Sequence, residues 1–98
     1  MSVVMLMRWD GVTLDQYDQA LNLVRWEDEP PAGAIFHVAT HDGQALRVTD
    51  IWESAGQFQQ FVDQRLMPGV AELGLPGEPD IEIYPAHRIF TPGPIPQS

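Results

Sequence analysis

The sequence predicts one α+β domain of the ferredoxin-like type, with the element order βαββαβ and an antiparallel sheet. Four segments have the alternating or continuous apolar pattern of strands, and two have apolar residues at helical spacing. Glycine and proline signals separate these segments where that order requires turns. We expect residues 1–90 to form the domain and the proline-rich residues 91–98 to form a tail without regular structure.

The first strand is predicted at 3–9, because an apolar run there ends at the turn signal Asp10-Gly11. Thr13 and Gln16 have the spacing of a capping box, which starts a helix. The helix is expected to run to about residue 25, with apolar residues on one stripe: Leu14, Tyr17, Leu21 and Val24.

The next two strands form a predicted hairpin. An acidic loop with two prolines at 27–31 ends the first helix, because proline cannot continue it. Residues 34–41 and 45–52 have strand patterns and flank Asp42-Gly43, which is typical of a two-residue type I′ turn. If Asp42-Gly43 is the whole loop, the numbers of two residues that lie directly opposite each other on the two strands add up to 85.

The second helix is predicted to begin at Ser54, where Gln57 completes a capping box, and to run towards Leu66. Pro68 is expected to kink or restart the helix, and Gly74 to end it. The last strand is predicted at 80–88. Ile81 and Ile83 are expected on one face of this strand, and Glu82 and Tyr84 on the other.

Charge and composition exclude several functions. Fourteen acidic and five basic residues give a net charge of −9, and there is no lysine. This charge opposes binding to nucleic acid or to anionic membranes, which depends on clustered basic residues. The chain has no cysteine, which excludes disulfides and thiolate chemistry and fits a cytoplasmic protein. Without lysine there is no Schiff base, and no glycine-rich phosphate loop follows a strand.

The predicted hairpin register places His37, Asp50 and Trp52 on one sheet face. His37 faces Val48 and Ile35 faces Asp50 in this register, so that His37 and Asp50 are diagonal neighbours roughly 7–8 Å apart. A histidine beside a carboxylate is suited to proton transfer, and both residues are candidate catalytic groups. The alternative for each is structural: a core histidine with a hydrogen bond, and a carboxylate in an ion pair.

Four further residues are candidates for substrate binding. Trp52 is expected in the core or in a pocket wall, and Tyr84 could bind a polar substrate group or mark a dimer interface. Arg8 is a cation available to Asp50, and His87 lies near the end of the last strand. No metal site is predicted, because His37 and His41 are about 13 Å apart on one strand.

The order βαββαβ, with Asp50-Ile51-Trp52-Glu53-Ser54 leading into a helix with aromatic spacing, resembles the dimeric α/β-barrel superfamily. Within it, the chain is most similar to small antibiotic-biosynthesis monooxygenase-type domains. The resemblance covers about residues 3–88. It implies that two sheets pair face to face in a homodimer, with a ligand cleft in each subunit. In the resembling enzymes a tryptophan at this position contributes to the substrate cleft, and O₂ oxidises the deprotonated substrate.

The residues and the resemblance together predict a homodimeric enzyme that acts on a small, apolar, cyclic or aromatic compound without a cofactor. His37 would be the acid or base, Asp50 its partner, and Trp52 and Tyr84 parts of the pocket. The reaction could be that of an oxygenase, a cyclase or an isomerase. The alternative is a non-catalytic dimer that binds a small ligand or has a structural role. Haem binding is a third option, although neither predicted helix contains the histidine that the haem-degrading branch would imply.

Overall fold

The computed structural model describes residues 1–94, and the observed order of elements confirms the predicted βαββαβ fold. Two of the predicted elements are shorter than expected: the first helix ends at Leu23 and the last strand at Pro85. Residues 95–98 of the predicted tail lie outside the described part of the chain. The elements are β1 (Val3–Asp10), α1 (Leu14–Leu23), β2 (Ala34–His41), β3 (Ala45–Trp52), α2 (Ala55–Phe61), a π-helical segment (Val62–Leu66), α3 (Met67–Leu73) and β4 (Asp80–Pro85).

The four strands form one antiparallel sheet in the order β2-β3-β1-β4. Alternate residues of β1 and β3 are buried under the helices, because successive side chains of a strand point to opposite faces. The core includes Met5, Met7 and Trp9 of β1 and Leu46, Val48 and Trp52 of β3, together with Phe58, Phe61 and Val70 from the helical layer. The other sheet face carries no helix in the described chain.

The second helical region is continuous but changes its winding. Met67 N–H donates to Val62 O, an i→i+5 bond that marks the π-helical segment between α2 and α3. Pro68 lies in the first turn of α3, where its missing N–H is tolerated. Gly74 has φ +65° and ends α3 in the left-handed conformation, which confirms the predicted stop.

The hairpin register differs from the predicted one by one residue on each strand. Asp42 N–H donates to Ala45 O at 3.1 Å, so that the two-residue loop is Gly43-Gln44 rather than Asp42-Gly43. The Asp42 carboxylate accepts hydrogen bonds from Gln44 N, Ala45 N and Arg47 Nε. These bonds, the Arg47 bond first, hold the Asp42 pKa well below its usual range. Asp42 therefore closes the hairpin instead of lying inside its loop.

Because the shift involves one residue on each strand, it preserves the sheet faces and changes only the partners. His37 lies directly opposite Asp50, not diagonal to it, and Ala39 lies opposite Val48. The predicted position of Ile35 is wrong. A β-bulge between Ala34 and Phe36 leaves Ile35 without a partner, and its side chain is half-exposed.

Gly33 is expected to tolerate alanine less well than Gly43, although both have positive φ, +89° and +97°. A Cβ at Gly33 would lie 2.9 Å from the Gln57 Cβ and closer still to its amide, whereas one at Gly43 would meet no atom within 4 Å. Gly33→Ala should lower the free energy of unfolding by about 2–4 kcal/mol and Gly43→Ala by about 1 kcal/mol. Unfolding by denaturant measures the free energy of unfolding of both variants. Equal decreases in that free energy would contradict the crowding described at Gly33.

Candidate functional site

Four side chains from three elements form a continuous hydrogen-bonded chain under the helices. Tyr17 Oη lies 2.5 Å from His37 Nε2, and His37 Nδ1 lies 2.6 Å from Asp50 Oδ1. Trp52 Nε1–H donates to Asp50 Oδ2 at 3.1 Å. The structure thus places His37, Asp50 and Trp52 on one face, as the strand periodicity predicted, and adds Tyr17 from α1.

The local sequence explains how Tyr17, Asp50 and Trp52 are placed in this hydrogen-bonded chain. Thr13 and Gln16 form a complete capping box, which fixes the start of α1 one turn before Tyr17. Asp50 and Trp52 are two residues apart on β3 and therefore point the same way. At the end of β3, Ser54 Oγ caps α2 by accepting from Gln57 N. The reciprocal bond of a capping box is absent, because Gln57 Oε1 accepts from Ser54 Oγ and not from Ser54 N.

With Asp50 ionised and with His37 and Tyr17 neutral, every donor in this hydrogen-bonded chain is paired with an acceptor. The Trp52 indole is always a donor, and Asp50 Oδ2 accepts its hydrogen bond. His37 Nδ1–H then donates to the second carboxylate oxygen, and its Nε2 accepts the proton of the Tyr17 hydroxyl. Asp50 is only 4% exposed. Two hydrogen bonds to its oxygens therefore replace the water that its burial removes.

Aromatic rings surround the imidazole of His37. The Tyr17 ring is nearly parallel to it at 5.9 Å, and the Trp26 ring lies 4.7 Å away at a tilt of 45°. Trp26 in turn packs edge-on against Trp52 and Phe61. Such rings provide a rigid apolar wall, which suits a planar apolar ligand.

Arg65 holds the segment that precedes Trp26. Its guanidinium donates to the carbonyls of Val24 and Arg25, the latter at 3.1 Å, and lies 5.6 Å from the Phe61 ring centroid. Arg25 has φ +57°, so that the chain turns sharply after α1 and directs Trp26 back to the sheet. The π-helical segment that carries Arg65 thus supports one wall of the site.

A cavity of about 70 Å³ lies between the sheet and the helices. Most of its lining is apolar, and its hydroxyl, imidazole and carboxylate groups belong to Tyr17, His37 and Asp50. Ligand pockets typically measure about 300–1,000 Å³. A ligand of ordinary size therefore requires the cavity to widen. Apolar residues around it include Met5, Met7, Val12, Leu46, Val48 and Phe58.

The other candidates from the sequence are not at this cavity. Tyr84 and Arg8 lie on the opposite sheet face, since Tyr84 pairs with Val4 and Arg8 is out of phase with the buried Met7 and Trp9. Tyr84 donates to Glu82, and Arg8 pairs with Asp10 at 3.0 Å rather than with Asp50. His87 follows β4 and is exposed. Trp52 is completely buried and does not line the cavity itself, but it contacts residues that do: Asp50, Trp26, Phe58 and Phe61.

Sequence reasoning missed Tyr17 and Trp26 as members of the site. Tyr17 was placed on the apolar stripe of α1, and a buried phenol needs a hydrogen-bond partner, which was the available signal. Trp26 follows the helix in an otherwise acidic loop, and nothing in the local pattern indicates that it turns back towards His37.

Two wider properties apply to residues 1–94. No helix among them is long and apolar enough to cross a membrane. No group of three or more His, Cys, Asp or Glu side chains among them is placed to hold a metal ion.

The hydroxyl of Tyr17 is expected to ionise far above its usual range. Burial, and then the negative charges of Asp50, Asp18 and Glu27, raise the pKa of Tyr17 to about 12. The folded state thus favours the neutral phenol, and this stabilisation is complete below pH about 10 and is lost as the pH rises towards 12.

Alkaline titration of Tyr84→Phe, in which Tyr17 is the remaining tyrosine, should therefore show a phenolate absorbance with a midpoint of about 12. The free energy of unfolding of Tyr17→Phe should fall less steeply than that of wild type between these pH values. A midpoint near the ordinary value of about 10 would contradict the environment described for Tyr17.

Comparison with known proteins supports the fold. No family model and no curated protein matches the chain by sequence, whereas 18 solved chains match it in structure. A protein of unknown function from Nitrosomonas europaea, NE2512, matches with a TM-score of 0.69 and 17% identity, over 94% of this chain and 95% of that one.

SnoaB, a cofactor-independent oxygenase from Streptomyces nogalater, matches with a TM-score of 0.67 and 13% identity, over 94% of this chain and 98% of that one. A candidate antibiotic biosynthesis monooxygenase from Caulobacter crescentus has a TM-score of 0.65 and 14% identity, over 89% and 91% of the two chains. The chain therefore shares its fold with solved structures of antibiotic biosynthesis monooxygenase-like proteins, which confirms the predicted resemblance at the level of the fold.

Proposed function

We propose that this protein is a small-molecule enzyme that uses His37 and Asp50 for acid–base chemistry on an apolar cyclic or aromatic compound. The observation that carries the proposal is the chain Tyr17–His37–Asp50–Trp52, which brings a proton acceptor to the wall of an apolar cavity. A buried network of this kind costs desolvation and ordering, and acid–base groups that meet at an apolar cavity are typical of active sites.

His37 is the proton acceptor in this mechanism. Its Nε2 is the basic nitrogen, since Nδ1 carries the proton that binds Asp50. When His37 takes a proton, the resulting imidazolium lies 2.6 Å from a carboxylate that already carries a negative charge. Asp50 therefore stabilises the charged intermediate and fixes the imidazole tautomer, while Trp52 orients Asp50.

The reaction that follows proton removal is proposed to be oxygenation. Support comes from the fold shared with SnoaB, a cofactor-independent oxygenase. An electron-rich carbanion or enolate can react with O₂ itself, and the balanced change for a ring methylene is R₂CH₂ + O₂ → R₂C=O + H₂O. The same proton transfer without O₂ would give an isomerase or a cyclase. None of these steps as proposed uses a metal or an organic cofactor.

The test is turnover of a panel of hydroxylated naphthalenes and anthrones, with simultaneous measurement of compound loss and O₂ uptake. We expect wild type to consume at least one compound and His37→Gln to be slower by about 100-fold or more. His41→Gln is the matched control, because His41 lies on the same strand and, within residues 1–94, hydrogen-bonds to the backbone atoms Val12 O and Gly43 N. Equal rates for wild type and His37→Gln would remove His37 from the mechanism. Turnover without O₂ uptake would indicate an isomerase or a cyclase.

The volume of the cavity favours a second function, a homodimer that binds a small ligand or is structural. A cavity of about 70 Å³ is small for a substrate, and every donor of the hydrogen-bonded chain has an acceptor without a ligand. Binding of panel compounds without turnover in wild type would favour this function.

The dimer is proposed from the sheet face that no helix covers. Leu6, Val38 and Tyr84 on this face are more than a third exposed, and Phe36 and Ile51 lie beside them. Contiguous exposed apolar surface of this kind is typical of an interface. Two copies packed through these faces would form the closed barrel that the resemblance implies.

Light scattering should accordingly give a mass near twice the 11.0 kDa of one chain. Val38→Glu should shift the protein to monomer, because a charge would be buried in the interface. Leu14→Glu is the matched control, since Leu14 is similarly exposed but lies on α1. A mass near 11.0 kDa for wild type would contradict the dimer.

A further inference from the structure

The imidazole of His37 has no open position for a ligand. Its Nδ1 is bound to Asp50 at 2.6 Å, and its Nε2 is bound to Tyr17 at 2.5 Å. A ligand that bonds directly to His37 must first displace the Tyr17 hydroxyl. The ring of Tyr17 is nearly parallel to that of His37, with an interplanar angle of 6°, and it packs from α1 against the same cavity.

The oxygen of Tyr17 is the open acceptor of the hydrogen-bonded chain. Within residues 1–94 its one hydrogen bond is to His37, which uses the hydroxyl proton and leaves the oxygen lone pairs free. Both Asp50 oxygens are occupied, by His37 and by Trp52. The Trp9 indole donates to Pro76 O at 2.6 Å. A ligand in the cavity therefore meets an acceptor at Tyr17 before it meets one at His37.

We propose that Tyr17 is the catalytic residue that contacts the ligand, that His37 receives the proton through Tyr17, and that the ligand is a planar conjugated alcohol, either a phenol or an enol. The inference rests on the proposed function and deepens it. An acceptor at Tyr17 selects a ligand with a donor. The aromatic rings of Trp26 and Phe61 beside the cavity favour a flat apolar body for that ligand.

The proton transfer is balanced without a tyrosinate. The O–H bond of the ligand breaks as its proton forms a new O–H bond at Tyr17 Oη. In the same step the original Tyr17 O–H bond breaks, and that proton forms an N–H bond at His37 Nε2. The products are a ligand anion, a neutral tyrosine and an imidazolium beside the Asp50 carboxylate. Tyr17 is never a free anion, which is consistent with its burial and with the negative charges of Asp50, Asp18 and Glu27 near it.

The test compares the binding of 4-nitrophenol and of its methyl ether, 4-nitroanisole, which lacks the donor. Absorbance reports whether bound 4-nitrophenol is ionised. We expect wild type to bind 4-nitrophenol about tenfold more tightly than 4-nitroanisole, and to ionise it at a lower pH than solution does. In Tyr17→Phe the preference and the shift in ionisation should both disappear, while the affinity for 4-nitroanisole is retained.

His37→Gln separates the relay from the proposed function. Loss of ionisation in both Tyr17→Phe and His37→Gln supports the relay. Ionisation that persists in Tyr17→Phe but disappears in His37→Gln would overturn the relay and leave His37 as the direct base. If wild type shows neither the preference nor the shift, the proposed acid–base site is itself wrong, and the relay with it.

Fluorine NMR gives a second measurement that does not depend on the folding of Tyr17→Phe. In Tyr84→Phe protein grown with 3-fluorotyrosine, Tyr17 carries the fluorine signal. 4-Nitrophenol should move this signal further than 4-nitroanisole does, because only the phenol bonds to the neighbouring oxygen. Equal shifts with the two compounds would contradict contact at Tyr17.

Discussion

Replacing Trp52 by alanine is expected to lower the free energy of unfolding by about 3–5 kcal/mol, the largest loss for a single side chain in this domain. Trp52 is completely buried, and its ring packs against Trp26, Phe58 and Phe61 at centroid distances of 5.5–5.9 Å. Alanine would leave a cavity among these rings and would also remove a donor from the buried Asp50 carboxylate. Small domains are typically stable by only about 5–15 kcal/mol, so that this loss is a large fraction of the total stability.

Trp52→Phe separates packing from hydrogen bonding at this position. Phenylalanine retains an aromatic ring but has no N–H, so we expect it to recover about half of the loss. Chemical denaturation of the two variants and wild type measures the three values. A loss below about 1 kcal/mol for Trp52→Ala would contradict a central place for Trp52 in the core.

Replacing Asp50 by asparagine is expected to keep the fold but to reverse the tautomer of His37. The amide can still accept from Trp52 Nε1–H, and its NH₂ group then donates to His37 Nδ1. The imidazole proton moves to Nε2, which becomes a donor towards Tyr17. His37 can then no longer accept a proton there, and under the proposed function turnover should fall by about 100-fold or more.

Nitrogen NMR of the histidine ring measures this change directly, because the two tautomers exchange the chemical shifts of their nitrogens. Variants of His41 and His87 assign the three histidine signals. We expect Asp50→Asn to lose about 1–2 kcal/mol of stability, since a carboxylate accepts stronger hydrogen bonds than an amide. If His37 keeps its proton on Nδ1 in Asp50→Asn, the proton arrangement assigned to the hydrogen-bonded chain is wrong.

Sequence patterns predicted most of the architecture because they are local. Helix starts at Thr13 and Ser54 follow from side chains that cap the backbone, and the end at Gly74 follows from a residue that tolerates positive φ. Strand periodicity placed Asp50 and Trp52 on one face. These signals involve residues within a few positions of each other, so no knowledge of the packed structure was needed.

The hairpin shows where local reasoning failed. Asp42-Gly43 has the composition of a turn, but Asp42 uses its carboxylate to bind the loop that follows and Arg47 beyond it. The register therefore moved by one residue on each strand, and His37 became the direct partner of Asp50. The bulge at Ile35 was also unpredicted, because it depends on how β2 pairs with β3 near Gly33 and not on its own side chain.

Local patterns in the sequence were thus enough to predict the order of elements, the sheet face of most strand residues and the shared face of His37, Asp50 and Trp52. The packed structure was needed to show that Tyr17 and Trp26 complete the candidate site and that Tyr84 and Arg8 lie on the opposite sheet face. This difference arises because periodicity fixes the direction of a side chain only within its own element. Contacts between α1, the loop after it and β2 depend on how separate elements pack.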